Sequence, residues 1–463
     1  MEPMNIVEIA NAIDGKLVNY KDNIVIEGIS TDSRSIKKGE LFIPIKGLNF
    51  DGHDFIGNAI ESGALASLSQ YDLNTSDFTY IIVEDTQTAL MKLAQYYRSK
   101  FNIPAVAVTG SSGKTTTKEM IASVLGESFN VLKNQGNLNN TIGLPITVFG
   151  LESHHDICVF EMGMNHRGEI ESLAAIVKPD IAVITNVGTA HIEFLGSREN
   201  ILESKKEIFK FFTDDNIAIL NGDDDMLSTI TSSVFKIIRY VINNKNDLHA
   251  QNIKQYGDEG MEFSLLLNGK METFFVPLIG MHNVYNALCA IAVGLTMNME
   301  VEKIKSGLAK FAPAKMRMEI FETQDGIRVI NDCYNANPDS TSAAIEVLKD
   351  MPCKGRRVLI LGDMLELGDY SEAGHRKVGE KAAESKIDIL ICIGERAKSI
   401  SKGALDKGMN EEQIYHFKGN KAAITKLPSM LLPMDTVLIK GSRMMKLEEL
   451  AEFLRERSFT KDE

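Results

Sequence analysis

The chain has 463 residues, 44% of them hydrophobic and 24% charged, an ordinary globular mixture too long for one core. A net charge of −13 argues against a general nucleic-acid or membrane-surface binder, so any anionic ligand needs local cations and backbone N–H groups to hold it. Five scattered cysteines with no Cys-x-x-Cys spacing point to reduced thiols, a cytoplasmic setting and no zinc site.

Residues 1–101 read as a mixture of short strands and helices. Their opening carries Glu2, Glu8 and Asp14 and no continuous apolar stretch, which speaks against a signal peptide. No apolar run approaches the roughly 18 residues of a membrane span, so membrane insertion is not expected. A second block, residues 102–313, begins with an apolar strand over 103–108. Further apolar strands over 157–160 and Ile181–Ile184 alternate with helical stretches, the pattern of a doubly wound parallel sheet. A third block, residues 314–463, starts after Ala312-Pro313. Its strands over 329–330, 358–361, Ile389–Ile393 and 437–439, again separated by helices, predict a second, Rossmann-like α/β unit. The fold class is therefore α/β in three domains, without internal repeats or low-complexity tracts.

The most informative stretch follows the first strand of the second block. Thr109 leads into Gly110, Ser111, Ser112, Gly113, Lys114, Thr115 and Thr116, then a helix supported by Met120, Ile121, Val124 and Leu125. Glycines let backbone N–H groups turn toward a phosphate. The helix N-terminus adds partial positive charge, Lys114 a full one, and the Thr115 hydroxyl can reach a magnesium ion. The spacing departs from the commoner phosphate loop, because Val108 stands where that loop has its first glycine. The competing reading is a tight strand-to-helix turn with an incidental lysine. The strand, glycines, Lys-Thr pair and helix in this order favour nucleotide binding.

Glu161 closes the strand over 157–160, at the end where ligands gather in open α/β sheets and where an acid commonly holds the metal of a magnesium nucleotide. His191 lies in the loop after the next strand, at the same edge. Each of these alone reads as structural. In the helix expected over 198–212, Ile201, Leu202, Ile208, Phe209 and Phe212 define one face, and Lys205 falls in its middle. Two outcomes are open for Lys205. It can snorkel to solvent, or it can stay buried with a depressed pKa, leaving a neutral amine able to add carbon dioxide and become an anionic carbamate ligand.

Taken together, the loop 109–116, Glu161, Asn186 with His191, Lys205 and the run Gly280-Met-His-Asn-Val-Tyr-Asn-Ala287 resemble the Mur ligase family of peptidoglycan synthesis, in the family's order and over essentially the whole chain. The resemblance implies an ATP-dependent ligase working through an acyl phosphate that an incoming amine attacks. The segments 331–340 and 361–368, with Lys440-Gly-Ser-Arg443, are similar to the branch that joins D-alanyl-D-alanine to UDP-N-acetylmuramoyl-tripeptide. By that resemblance Lys114 contacts the terminal phosphates of ATP. Thr115 and Glu161 hold one magnesium ion; His191 and a carbamylated Lys205 hold a second. Asn283 and Asn286 contact the nucleotide, and Arg317, Asp332 and Tyr334 reach it from the third domain. Asn137, Asn139, Asn140, Thr141, Asn335, Asn337, Lys440, Ser442 and Arg443 fall to the substrates, and Ser30, Thr31, Asp32, Ser33 and Arg34 to a UDP-binding first domain. Lys114, His191, Lys205 and Arg317 form the expected catalytic set. Ser112 stands where the family frequently has asparagine. A monomer is expected.

Three rival readings stand beside this one. A kinase or ATPase of another phosphate-loop class has only the loop and Glu161 in its favour. A non-catalytic nucleotide scaffold predicts loss of Lys114, Glu161 or His191, all of which are present. A folylpolyglutamate-synthetase-like ligase shares the loop but is not expected to carry the run 334–338.

Overall fold

The computed structural model describes residues 1–20, 23–47 and 49–456. Three mixed or parallel sheets follow one another along the chain. The first has five strands in the order Lys16–Val18, Thr79–Ile82, Ala66–Ser69, Glu40–Phe42, Gly28–Ser30, parallel except for the first pair. The helix Thr86–Ser99 follows, capped by Asp85, whose carboxylate accepts from Thr88 N. Its buried face carries Ala89, Leu90, Leu93, Ala94 and Tyr97, and it ties this unit to the next.

The central sheet has seven parallel strands in the order Leu248–His249, Lys236–Val241, Ile217–Asn221, Ile181–Ile184, Ala105–Thr109, Ile157–Glu161, Val131–Lys133. Its middle strands are apolar on both faces, as strands covered by helices on both sides must be. Ala105 and Ala107 enter one core with Cys158, Phe160, Ala182 and Ile184. Val106 and Val108 enter the other with Ile157, Val159, Ile181 and Val183. Each fully buried valine or isoleucine contributes about 1.5–3 kcal/mol. The chain leaves Ala105–Thr109 for the sheet edge, returns as Ile157–Glu161 and then crosses to Ile181–Ile184 on the other flank. That reversal makes a switch point at the C-terminal end of Ala105–Thr109, where a crevice opens.

The sequence reading ran the α/β alternation to residue 313. The structure instead places a three-stranded antiparallel sheet over Gln251–Tyr256, Gly260–Leu267 and Lys270–Val276, joined by short turns. It buries Phe263, Leu265 and Phe274 on the second core and turns the alternate residues outward. The helix expected over 198–212 also ends earlier. The α-helix is Arg198–Lys206, and a 3-10 turn, Glu207–Phe209, tightens its end. The long helix Met281–Thr296 is buried nearly all round and packs on the phosphate-loop helix Lys114–Leu125.

The last sheet has six strands in the order Glu319–Glu322, Arg328–Asn331, Thr436–Lys440, Arg357–Gly362, Ile389–Ile393, Ile414–Phe417. All pair in parallel except the antiparallel edge Glu319–Glu322. The expected Rossmann-like unit is present, with that added edge. Among the described residues, no helix is long and apolar enough to cross a membrane.

Candidate active site

The phosphate loop is shaped by its neighbours. Gly110 has φ 155°, and a Cβ there would overlap Thr185 Oγ1. Gly113, at φ 77°, is the N-cap of Lys114–Leu125, and a Cβ there would press on Asn286 Oδ1 at 2.8 Å. Thr185 Oγ1 donates to Ser112 O at 2.7 Å, and Ser112 N donates to Asn186 Oδ1 at 2.9 Å. Lys114 Nζ folds back onto Gly110 O at 2.9 Å. Burial lowers the Lys114 pKa and Arg317 adds to the effect, while Glu161 opposes it.

Two cavities meet at this loop. One is lined by Gly113, Thr116, Asn221, Tyr240, His282, Asn283 and Asn286 from the central unit, with Arg317, Asp332 and Lys440 from the C-terminal unit. Asn283 and Asn286 are linked there, Asn286 Nδ2 donating to Asn283 Oδ1 at 3.0 Å, and Asn286 Oδ1 accepts from Thr117 Oγ1 at 3.0 Å. The other holds about 1330 Å³ of space open to solvent. Its walls carry Ser111, Lys114, Thr115, Glu161, His191 and the run Asn137, Asn139, Asn140 and Thr141, faced by Arg317, Tyr334, Asn335, Asn337, Lys440 and Arg443. Ser112, Gly113, Arg317, Ser340 and Lys440 belong to both.

Glu161 is buried. Asn139 Nδ2 donates to its Oε1 at 2.7 Å, and its Oε2 has no hydrogen-bond partner. A buried carboxylate oxygen left unpaired is costly, and a cation would satisfy it. Asn134 was not foreseen. Its amide brackets the Glu161 backbone, accepting from Glu161 N at 2.9 Å and donating to Glu161 O at 3.2 Å. Lys118, fully buried, donates to Asn134 O at 2.5 Å.

Lys205 is buried, 1% exposed, with no hydrogen-bond partner among the described residues. It stays buried and does not snorkel. Burial drives its pKa well below the usual value and the charge of Lys114 pushes the same way, while Asp224 opposes. Lys205 lines neither cavity. Among the described residues no three His, Cys, Asp or Glu side chains form a metal cage. A magnesium ion would instead draw on Thr115, Glu161, His191 and ligands brought by a substrate.

From the C-terminal unit, Arg317 Nη2 donates to Thr115 Oγ1 at 3.2 Å, and its guanidinium stacks over Tyr334 at 4.0 Å. Lys440 Nζ reaches Asp332 Oδ2 at 2.5 Å and Asn335 O at 3.0 Å. Asn337 accepts from Ser340 N at 2.8 Å, capping the helix Pro338–Asp350, so its carbonyl oxygen already has a structural task. Ser442 Oγ accepts from Leu365 N at 2.8 Å and lines neither cavity. Arg443 pairs with Glu448 at 2.6 Å.

Ser30, Thr31, Asp32, Ser33 and Arg34 stand at the edge of the first sheet and line neither cavity. Arg34 grips Asp32 with Nε and Nη2, at 2.9 and 2.7 Å, and holds that carboxyl down at about 2. Of the predicted residues, the structure gathers the loop, Glu161, His191, Arg317, Asp332 and Lys440 around one crevice and leaves the 30–34 group apart.

Fold and crevice together define a class: three-unit α/β proteins in which a phosphate loop faces a Rossmann-like unit across a cleft. The comparisons narrow it. The chain matches the Mur ligase middle domain over residues 108–294, the Mur ligase, glutamate ligase domain over 316–443, and the Mur ligase family, catalytic domain over 25–98. It is 40% identical over 451 residues to the UDP-N-acetylmuramoyl-tripeptide–D-alanyl-D-alanine ligase of Bacillus subtilis, covering 97% of each chain. The crystal structure I of MurF from Acinetobacter baumannii aligns with a TM-score of 0.91 at 31% identity, covering 99% of this chain and 100% of that one. The MurF ligase of Thermotoga maritima in complex with ADP aligns at 0.83 and 28% identity, covering 94% and 99%. The chain belongs to the Mur ligase family.

Proposed function

We propose that the protein is an ATP-dependent ligase that joins D-alanyl-D-alanine to UDP-N-acetylmuramoyl-tripeptide. The observation that carries this reading is the meeting of two cavities at one phosphate loop, with Arg317 and Lys440 reaching both. A simple ATPase needs only the first cavity. A ligase must bring an acyl acceptor for phosphate to the other side of the same loop. Full-length likeness to the Bacillus subtilis ligase supports the choice of substrates over those of a folate-chain ligase.

In this reading ATP occupies the cavity with His282, Asn283, Asn286 and Asp332, its phosphates on residues 110–116. Lys114 and Arg317 bear on the terminal phosphate and orient it toward the second cavity. The tripeptide carboxylate lies by Asn137, Asn139, Asn140 and Thr141, with its UDP end toward Ser30–Arg34, and the dipeptide enters by Asn335, Asn337 and Arg443. Thr115 and Glu161 would hold one magnesium ion, and His191 with Lys205 as its carbamate a second; bound there, the ions would neutralise phosphate and carboxylate charge during transfer. Docking of the C-terminal unit excludes water from the acyl phosphate. We assign domain boundaries at 101/102 and 313/314, and a monomeric, cytoplasmic enzyme. The five cysteines are free, which agrees with a reducing compartment.

The test is phosphate release over a panel of UDP-muramoyl peptides, each with and without D-alanyl-D-alanine. Release is expected only when both substrates are present, with formation of an amide. Phosphate release without the dipeptide overturns the proposal.

A further inference from the structure

The loop that carries His191 is held from two sides, and the two halves of the loop have different owners. Residues 186–188 are fixed by their own unit. Asn186 engages Ser112, Val187 N donates to Asp224 Oδ2 at 2.9 Å, Arg198 Nη2 donates to Val187 O at 2.8 Å, and Gly188 N donates to Ser111 Oγ at 2.9 Å. From residue 189 the ownership changes. Thr189 donates both its N–H, at 2.8 Å, and its hydroxyl, at 3.0 Å, to one oxygen of Asp339. His191 Nδ1 lies 2.8 Å from Glu366 Oε2, without the alignment of a hydrogen bond. Glu193 N points to Glu366 O at 3.4 Å. Among the described residues, every polar partner that 189–193 have outside their own turn comes from the C-terminal unit.

The fit is steric as well as polar. A Cβ on Gly188 would overlap the Asp339 carboxylate, and one on Gly368 would press on Glu193 at 3.1 Å. His191 and Glu366, which face each other, both take left-handed backbone conformations, at φ 63° and 62°, although neither is glycine. Such conformations persist where the surroundings over-determine them, and they cluster at functional sites. Asp339 itself sits in the first turn of Pro338–Asp350 behind its Asn337 cap, with its other oxygen 3.9 Å from Lys377 Nζ.

We propose that Asp339 and Glu366 are positioning residues. Delivered by docking of the C-terminal unit, they set residues 189–193, and His191 with them, so that the catalytic edge of the central unit is complete only in the docked state. The inference rests on the ligase reading above. A plainer role for Asp339 is to oppose the dipole of its own helix. That role needs no Thr189, and the difference can be measured.

The experiment compares wild type with Asp339→Ala, Thr189→Val and the double variant in steady-state phosphate release, and follows docking by small-angle X-ray scattering with a non-hydrolysable ATP analogue. Loss of a hydrogen bond to a charged group is expected to lower kcat roughly tenfold to a hundredfold in Asp339→Ala, with KM for ATP changed less than about threefold. The double variant should be no worse than Asp339→Ala, because Asp339→Ala already removes both bonds from Thr189, of which Thr189→Val removes only the hydroxyl one. The compaction that the analogue induces in wild type should shrink in all three. Additive losses with unchanged compaction would overturn the clamp. If Asp339→Ala fails to fold, Gly188→Ala tests the same contact from the other unit. It should fold, fail to compact and lose kcat; normal compaction and kcat would overturn the clamp too. Failure of the wild type to require both substrates would instead count against the ligase reading.

Discussion

Acid should loosen the nucleotide-side cavity through His282. The ring sits in the first turn of Met281–Thr296, on a wall shared with Asp332 and Lys440. Burial lowers its pKa from 6.5 to about 4; Asp332 opposes this and Lys440 adds to it. A base kept neutral in the folded protein binds its proton more readily once exposed. The penalty is therefore absent above pH 6.5, grows as pH falls below it and is complete below about 4. At about 1.4 kcal/mol per pH unit, the whole window is worth about 3 kcal/mol, and the part reached by pH 5 about 2 kcal/mol. Part of the ring still faces the cavity, which makes these figures upper values. Urea unfolding of ligand-free wild type and His282→Gln between pH 5 and 7.5 isolates the effect, since other groups titrate in both. The stability difference should move by 1–2 kcal/mol in favour of the variant as pH falls. A difference constant across that range, or a His282 ring that titrates near 6.5 by NMR, would refute the reasoning.

Three further outcomes are expected. Lys205→Ala should lose about a hundredfold in activity, and a short carboxylic acid should restore part of it; because burial and Lys114 hold the amine neutral above its depressed pKa, native mass spectrometry in labelled bicarbonate should find the carbamate near neutral pH, and full activity of Lys205→Ala would exclude it. Gly110→Ala should cost about 1–3 kcal/mol in denaturant unfolding, since its Cβ meets Thr185 Oγ1 at a φ that side chains avoid; an unchanged midpoint would contradict this account of the loop. Asn134→Ala removes two buried hydrogen bonds to the Glu161 backbone and a partly buried one to Leu138 O at 2.8 Å. It should cost about 2–3 kcal/mol and raise the magnesium concentration needed for half-maximal activity, whereas loss of stability alone would leave Asn134 a purely structural residue.

What the sequence made legible follows from range. Apolar strands and the glycine-lysine-threonine turn are local patterns, and the structure shows them within a residue or two: Ala105–Thr109, Ile157–Glu161 and Ile181–Ile184 against runs of 103–108, 157–160 and 181–184. The antiparallel sheet over 251–276 was missed because its strands bury only one face, and polar alternation there looks like surface. Lys205 was detectable as a cation in an apolar stripe, but its burial is set by tertiary packing around Arg198–Lys206, which no window of sequence contains. Asp339 and Glu366 sit inside runs singled out as motifs, at 331–340 and 361–368. Their partners, Thr189 and His191, are about 150 residues away or more along the chain, and a contact across two units leaves no periodic trace. Asn134 supports Glu161, and Lys118 supports Asn134, through backbone atoms, which sequence cannot display.

The charge of the chain poses a problem that the crevice resolves locally. At −13 overall, the protein repels ATP and a UDP-linked carboxylate at long range, yet it draws Lys114, Arg317, Lys440 and Lys205 toward one edge of the central sheet. Four cations so close would repel one another in a dry site. Three are balanced or placed at its rim: Lys440 is paired with Asp332, Arg317 stacks on Tyr334, and Lys114 has Glu161 within reach of its field. For Lys205 the field of Asp224 is outweighed, because burial and the charge of Lys114 both disfavour its own charge. The neutral amine is the form this surrounding permits, and it is also the form that adds carbon dioxide. A carbamate at Lys205 would turn its repulsion of Lys114 into attraction. Burial penalises an anion as well as a cation, so a carbamate at Lys205 would need Lys114 or a bound metal cation to hold its charge.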